Sequence, residues 1–100
     1  MGNPLPIFSF PGDPRWNEEL EAVEFEVELG EYKGLVLVTR RTIHNVLQMR
    51  PTPEQCVEFL HLHRTEFERV AEAKLRAREL GPDANVHIDG RDLRRYGGPG

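Results

Sequence analysis

Glu58-Phe59-Leu60-His61 is the stretch of this 100-residue chain whose spacing comes nearest to metal chemistry. Glu-x-x-His sets a carboxylate and an imidazole on one helix face, as in di-iron bundles. Such a centre also needs a second Glu-x-x-His and two glutamates from facing helices. The sequence supplies no second copy, so Glu58 and His61 read as a solvated helix face. His61 and His63 stand roughly 200° apart around a helix and cannot share one metal ion. His63 falls on an apolar stripe and reads as a packed, hydrogen-bonded histidine rather than a catalyst. His44 and His87 have no partner that sequence can place near them. Cys56 lies four residues into a helix, where the N-terminal dipole lowers a thiol pKa, but it shares the apolar stripe and reads as a buried structural cysteine. There is no Gly-x-Gly-x-x-Gly, P-loop, Gly-x-Ser-x-Gly or Cys-x-x-Cys. No catalytic, cofactor-binding or metal-binding residue is therefore assigned, no cofactor is expected, and the chain reads as a non-enzyme.

Charge is the other source of chemistry, and it is unevenly spread. The net charge is −4. Residues 1–39 carry eight acids against Arg15 and Lys33, whereas residues 40–100 carry eleven bases against nine acids. An acidic first third repels phosphate, and duplex-DNA binders present a dense basic face, which argues against nucleic acid. The bases from Arg64 to Arg78 are interleaved with Glu66, Glu68, Glu72 and Glu79, as on a solvated helix. Arg40-Arg41 and Arg91, Arg94 and Arg95 are the unbalanced basic patches, and both are small.

These residues must be positioned by a small set of elements. A chain of this length forms one domain, with 38% apolar and 30% charged residues pointing to a thin core under a well-solvated surface. Ile7 to Phe10 reads as a first edge strand, closed by Pro11-Gly12-Asp13-Pro14, with Trp16 as a lid on the core. Val23, Phe25, Val27 and Leu29 alternate with Glu24, Glu26 and Glu28, the period of a half-buried strand. Those glutamates should share one sheet face and repel one another. Gly30 to Gly34 reads as a hairpin loop, and Leu35 to Thr39 as a strand covered on both faces.

Thr39 caps a helix from about Arg40 to Gln48, with Ile43, Val46 and Leu47 on its inner face. Thr52 at N-cap, Pro53 at N1 and Gln55 at N3 then open a second helix with a capping box. Gly81 as C′ residue ends it after Leu80. Its core stripe is Cys56, Phe59, Leu60, His63, Phe67, Val70, Ala71, Lys74 and Ala77. Val86 to Ile88 is a short last strand, and Asp89 caps a turn through Asp92 and Leu93. The expected fold is α+β: a small antiparallel sheet, in the order β-β-β-α-α-β, packed against one short and one long helix. Residues 1–96 form the domain, and 97–100 a disordered glycine-rich tail.

These landmarks together resemble an uncharacterised bacterial family known as domain of unknown function 1488. The resemblance is carried by Phe8, Phe10 and Trp16, then Val23-Glu24-Phe25. Glu54-Gln55, Phe59, His63-Arg64, Glu68 and Ala71 follow, and Val86, Ile88 and Asp92-Leu93 complete it, covering roughly residues 7–93. The glycine-rich tail and the glutamate row depart from the family pattern. The resemblance implies a small soluble α+β protein of unknown function and transfers no functional residue.

No apolar run reaches the roughly 18 residues that span a bilayer, and Met1 to Pro4 lacks the basic start of a signal peptide. One cysteine precludes an internal disulfide. The protein is expected to be cytoplasmic and to make no membrane contact. The leading functional expectation is a protein-interaction module that binds an unidentified protein or self-associates as a homodimer. The dimer is expected because a 28-residue helix, about 42 Å long, overshoots so small a domain, and because the strand at Leu35 is apolar on both faces. The alternatives are a weak nucleic-acid-binding accessory protein, using Arg40, Arg41, Arg50 and the Arg91–Arg95 turn, and a small metal-binding protein or enzyme.

Overall fold

Strict alternation makes β3 (Ala22–Leu29) and its partner β4 (Tyr32–Thr39) the longest strands of the computed structural model, which describes residues 7–99. They form an antiparallel hairpin whose register sets Val23 opposite Val38 and Phe25 opposite Val36. The far edge of β3 pairs with two short antiparallel strands, β1 (Phe8–Ser9) and β2 (Arg15–Asn17), so the first strand predicted over Ile7 to Phe10 is shortened, and Trp16 lies in an additional strand. Trp16 lies opposite Val23 and packs against the core edge.

Among the described residues four helices follow: α1 (Arg40–Leu47), α2 (Pro53–Leu62), α3 (Arg64–Arg76) and α4 (Gly90–Tyr96), with the last strand, β5 (Val86–Ile88), before α4. The α+β class and a sheet backed by helices are as expected. One pairing differs: β5 runs parallel to β4, with Val36 opposite Val86 and Val38 opposite Ile88. A parallel neighbour requires a long crossover, and α1, α2 and α3 provide it. The sheet is thus mixed rather than purely antiparallel. Its inner face and the helices bury Val23, Phe25, Val27, Val36, Val38, Val86 and Ile88 against Ile43, Phe59, Leu60, Phe67, Val70 and Leu93.

Local chemistry sets most helix ends as read. The Thr39 hydroxyl accepts from the Thr42 N–H, and Thr52 forms the reciprocal capping box with Gln55. The single long helix does not form, however. It is interrupted at His63, whose backbone (φ −111, ψ 25) leaves the helical region. Immediately beyond, Arg64 is held by the carbonyls of Phe10 and Gly12 in the β1–β2 connection. Nor does α3 reach Gly81. The chain leaves it through Arg78 at φ +59, with the Glu79 N–H donating to the Lys74 carbonyl at 2.9 Å and the Arg78 N–H to Leu75 at 3.0 Å. That is a Schellman closure with arginine at the left-handed position where glycine is favoured. Leu75, not Ala77, is the last buried residue of the stripe. The expected turn at Asp89 is α4, opened by an Asp89–Asp92 capping box.

The helix is broken and ends early, and on the outer face of β4 Leu37 is buried within the chain while Leu35 is half-buried. The glutamate row is also less repulsive than its spacing suggested. Arg15 Nε lies 2.8 Å from Glu24 Oε1 and its Nη1 3.7 Å from Glu26, while Glu28 stands opposite Lys33. The glycine-rich stretch is placed rather than disordered through residue 99: the Gly98 N–H donates to the Leu93 carbonyl, and Pro99 is buried. Gly100 lies outside the described residues.

Candidate functional site

The residues first considered for metal chemistry stay apart. Glu58 and His61 are both exposed on α2, and no group of three His, Cys, Asp or Glu side chains among the described residues is arranged to hold a metal ion. His63 sits at the helix break instead of inside the core. Its Nδ1 is 2.8 Å from Glu66 Oε1, and its ring meets Phe59 edge-on at 4.6 Å. Cys56 is buried as expected, and burial pushes its thiol pKa up, against a smaller downward pull from Arg40. His87 Nε2 lies 2.9 Å from Asp83 Oδ2, and this bond, helped by the Asn85 N–H, lowers the Asp83 carboxyl to about 2.

The two basic patches behave differently. At the C-terminal patch, Arg95 lies 3.7 Å from Glu79 and over the Tyr96 ring, whereas Arg91 and Arg94 are exposed and form no ion pair among the described residues. Arg40, Arg41 and Arg50 instead come together, with His44, around one open cavity of about 360 Å³ beside the N-terminal half of α1.

The surface that sequence reading missed is apolar. Leu62 is 74% exposed, Met49 51% and Leu47 40%. These three line a single groove of about 200 Å³, with Phe59 and His63, where the end of α1 meets α2. Helical spacing predicts Leu47 on the inner face of α1, but α1 ends there, and the left-handed Gln48 turns the chain away. Met49 follows in the α1–α2 connection, and Leu62 ends α2 at the break. The available signal was a leucine between two histidines, off the stripe of its own helix.

No helix among the described residues is long and apolar enough to cross a membrane. No family model and no curated protein matches the sequence. Among solved structures the chain is similar to the crystal structure of a protein of unknown function from the DUF1488 family of Shewanella loihica PV-4, with a TM-score of 0.74 at 13% identity. The likeness covers 82% of this chain and 91% of that one. At that identity the likeness speaks for the fold. The chain has the fold of a DUF1488-family protein.

Proposed function

We propose that this protein is a non-enzymatic protein-interaction module, and that it binds a segment of another protein in the groove between α1 and α2. The observation that supports this is the convergence of Leu47, Met49 and Leu62 on one concavity floored by Phe59. Singly exposed apolar residues are ordinary on a protein surface. Gathered in a groove with polar rims they mark a docking site, because their removal from water is the main favourable term in association. Helix-lined grooves of this kind accept apolar anchors projecting from a partner.

The test compares wild-type bait with Leu62→Ser bait in lysate of the native host, with captured proteins identified by mass spectrometry and rebound as purified material. A partner held by wild type and lost by Leu62→Ser is the expected result. A capture profile that the substitution leaves unchanged would refute the assignment of the groove. A second copy of the chain is the competing occupant, and sedimentation between about 10 and 500 μM, spanning weak self-affinities, decides it. A mass that stays near 11.5 kDa supports a different partner, whereas a dimer dissociated by Leu62→Ser replaces it.

A further inference from the structure

The groove adjoins the basic cavity. Arg50 follows Met49 directly in the α1–α2 connection, and His44 stands one turn before Leu47 on α1, so the two concavities share α1 and that connection. Within the basic cavity Arg40 is already engaged: its Nη1 lies 3.5 Å from Glu21 Oε1, and its Nε donates to the Pro51 carbonyl at 2.8 Å. Arg41, His44 and Arg50 are exposed and form no ion pair among the described residues. On a chain of net charge −4 this is a local reversal of sign, placed against the surface where apolar side chains are also bare.

Building on the protein-interaction reading above, we propose that the occupant of the groove is an acidic amphipathic segment of a partner protein. Its apolar residues seat on Met49 and Leu62, and its carboxylates meet Arg41 and Arg50. Guanidinium is suited to this, because its planar fork matches a carboxylate and sheds water more readily than an ammonium does. Exposed charges of this kind choose between partners and speed encounter more than they add affinity. The groove's own charges set the direction of binding. Glu58 lines the α2 side and repels acid there, so the acidic end of the segment lies toward the α1–α2 connection.

Three fluorescein-labelled helix-forming peptides of about 14 residues test this by anisotropy. One carries leucine at helical spacing with glutamate elsewhere. A second replaces each glutamate with lysine, and a third keeps the glutamates and replaces each leucine with serine. The leucine–glutamate peptide should bind at least about tenfold more tightly than leucine–lysine in about 50 mM salt, and its advantage should shrink in about 300 mM salt as screening tightens. The net charge of the chain favours the lysine peptide, so this outcome requires the local cations. Arg41→Glu with Arg50→Glu should erase the preference, and Met49→Ser with Leu62→Ser should weaken both leucine peptides. All four positions are exposed, and unchanged circular dichroism checks that the variants fold. Equal binding of the two leucine peptides overturns the acidic assignment and leaves the groove standing. Binding of neither overturns both. If the serine–glutamate peptide or a single-stranded oligonucleotide binds as tightly as leucine–glutamate, and Arg41→Glu with Arg50→Glu abolishes that binding, the surface is a plain anion site and the proposal fails.

Discussion

Arg64 ties the β1–β2 connection to the start of α3, and replacing it gives the sharpest test of the packing described above. Its Nη2 donates to the carbonyls of Phe10 and Gly12, each at 2.7 Å, its Nη1 reaches Asp13 at 3.3 Å, and its Nε reaches Glu68 at 2.9 Å. The side chain is 26% exposed. Hydrogen bonds with one charged partner contribute about 1.5–3 kcal/mol each when buried. Here water can rehydrate the freed carbonyls, so about 1 kcal/mol for each is the better figure. The Glu68 contact is an i, i+4 pair of a few tenths of a kcal/mol, and the exposed Asp13 contact adds almost nothing. Arg64→Ala should therefore lower the unfolding free energy by about 2–3 kcal/mol in urea melts. Arg64→Lys, which keeps the charge and loses the fork, should cost about 1–2 kcal/mol, and Glu68→Ala less than about 0.5 kcal/mol. Amide exchange should quicken selectively in residues 8–17, the segment Arg64 anchors. A loss under about 0.5 kcal/mol for Arg64→Ala, or equal effects of Arg64→Ala and Glu68→Ala, would refute the reasoning.

Phe67 is 1% exposed and meets Phe59 edge-on at 5.9 Å, so Phe67→Ala should cost about 3–5 kcal/mol; near-wild-type stability would contradict the placement of α3. Lys74 and Asp92 are each 11% exposed at the side chain, and Asp92 Oδ2 also accepts from the Asp89 N–H. Lys74→Met, which leaves that buried carboxylate without its cation, should cost about 2–3 kcal/mol, and a double-mutant cycle with Asp92→Asn should show coupling above about 0.5 kcal/mol; additivity would count against the pair. The Asp83 carboxyl, at about 2 in the fold, lies below its ordinary value of about 3.9. Its contribution to stability is therefore complete above about pH 4 and is lost as pH falls from about 4 toward 2. An NMR titration of Asp83 with a midpoint near 4 would exclude this. Glu58→Ala and His61→Ala should leave stability unchanged, and stoichiometric metal on the purified protein would reverse the reading of that pair.

Periodicity made the hairpin legible, since glutamate alternating with Val23, Phe25 and Val27 admits no other element. Cap chemistry did the same for the helix starts at Thr39 and Thr52, where a hydroxyl satisfies an orphan N–H whatever surrounds it. What the sequence left unread is decided at long range. The break at His63 coincides with Arg64 binding carbonyls more than fifty residues upstream, and a helical pattern carries no trace of such a contact. The end of α3 is a local exception: hydrogen bonds within its last turn close it at Arg78, which takes the left-handed position that glycine favours, so Gly81 misleads as a terminator. The parallel placement of β5 is a property of the crossover and cannot be read from three residues. The groove was missed for a related reason: Leu47, Met49 and Leu62 belong to three different elements, and only the turn at Gln48 and the stop at Leu62 bring them together.

Pairing of β5 with β4 joins residues fifty positions apart, and this orders events while the chain is being made. The β3–β4 hairpin needs only local contacts and closes in microseconds once both strands are available. At about 5–20 residues per second, several seconds then separate synthesis of Val36 from that of Val86. Through that interval Val36, Leu37 and Val38 stand on an open strand edge, the geometry that invites another strand to add. The edge is filled only when Val86 to Ile88 arrive to pair with it, so the time taken to make the helical crossover sets how long it remains available to other chains.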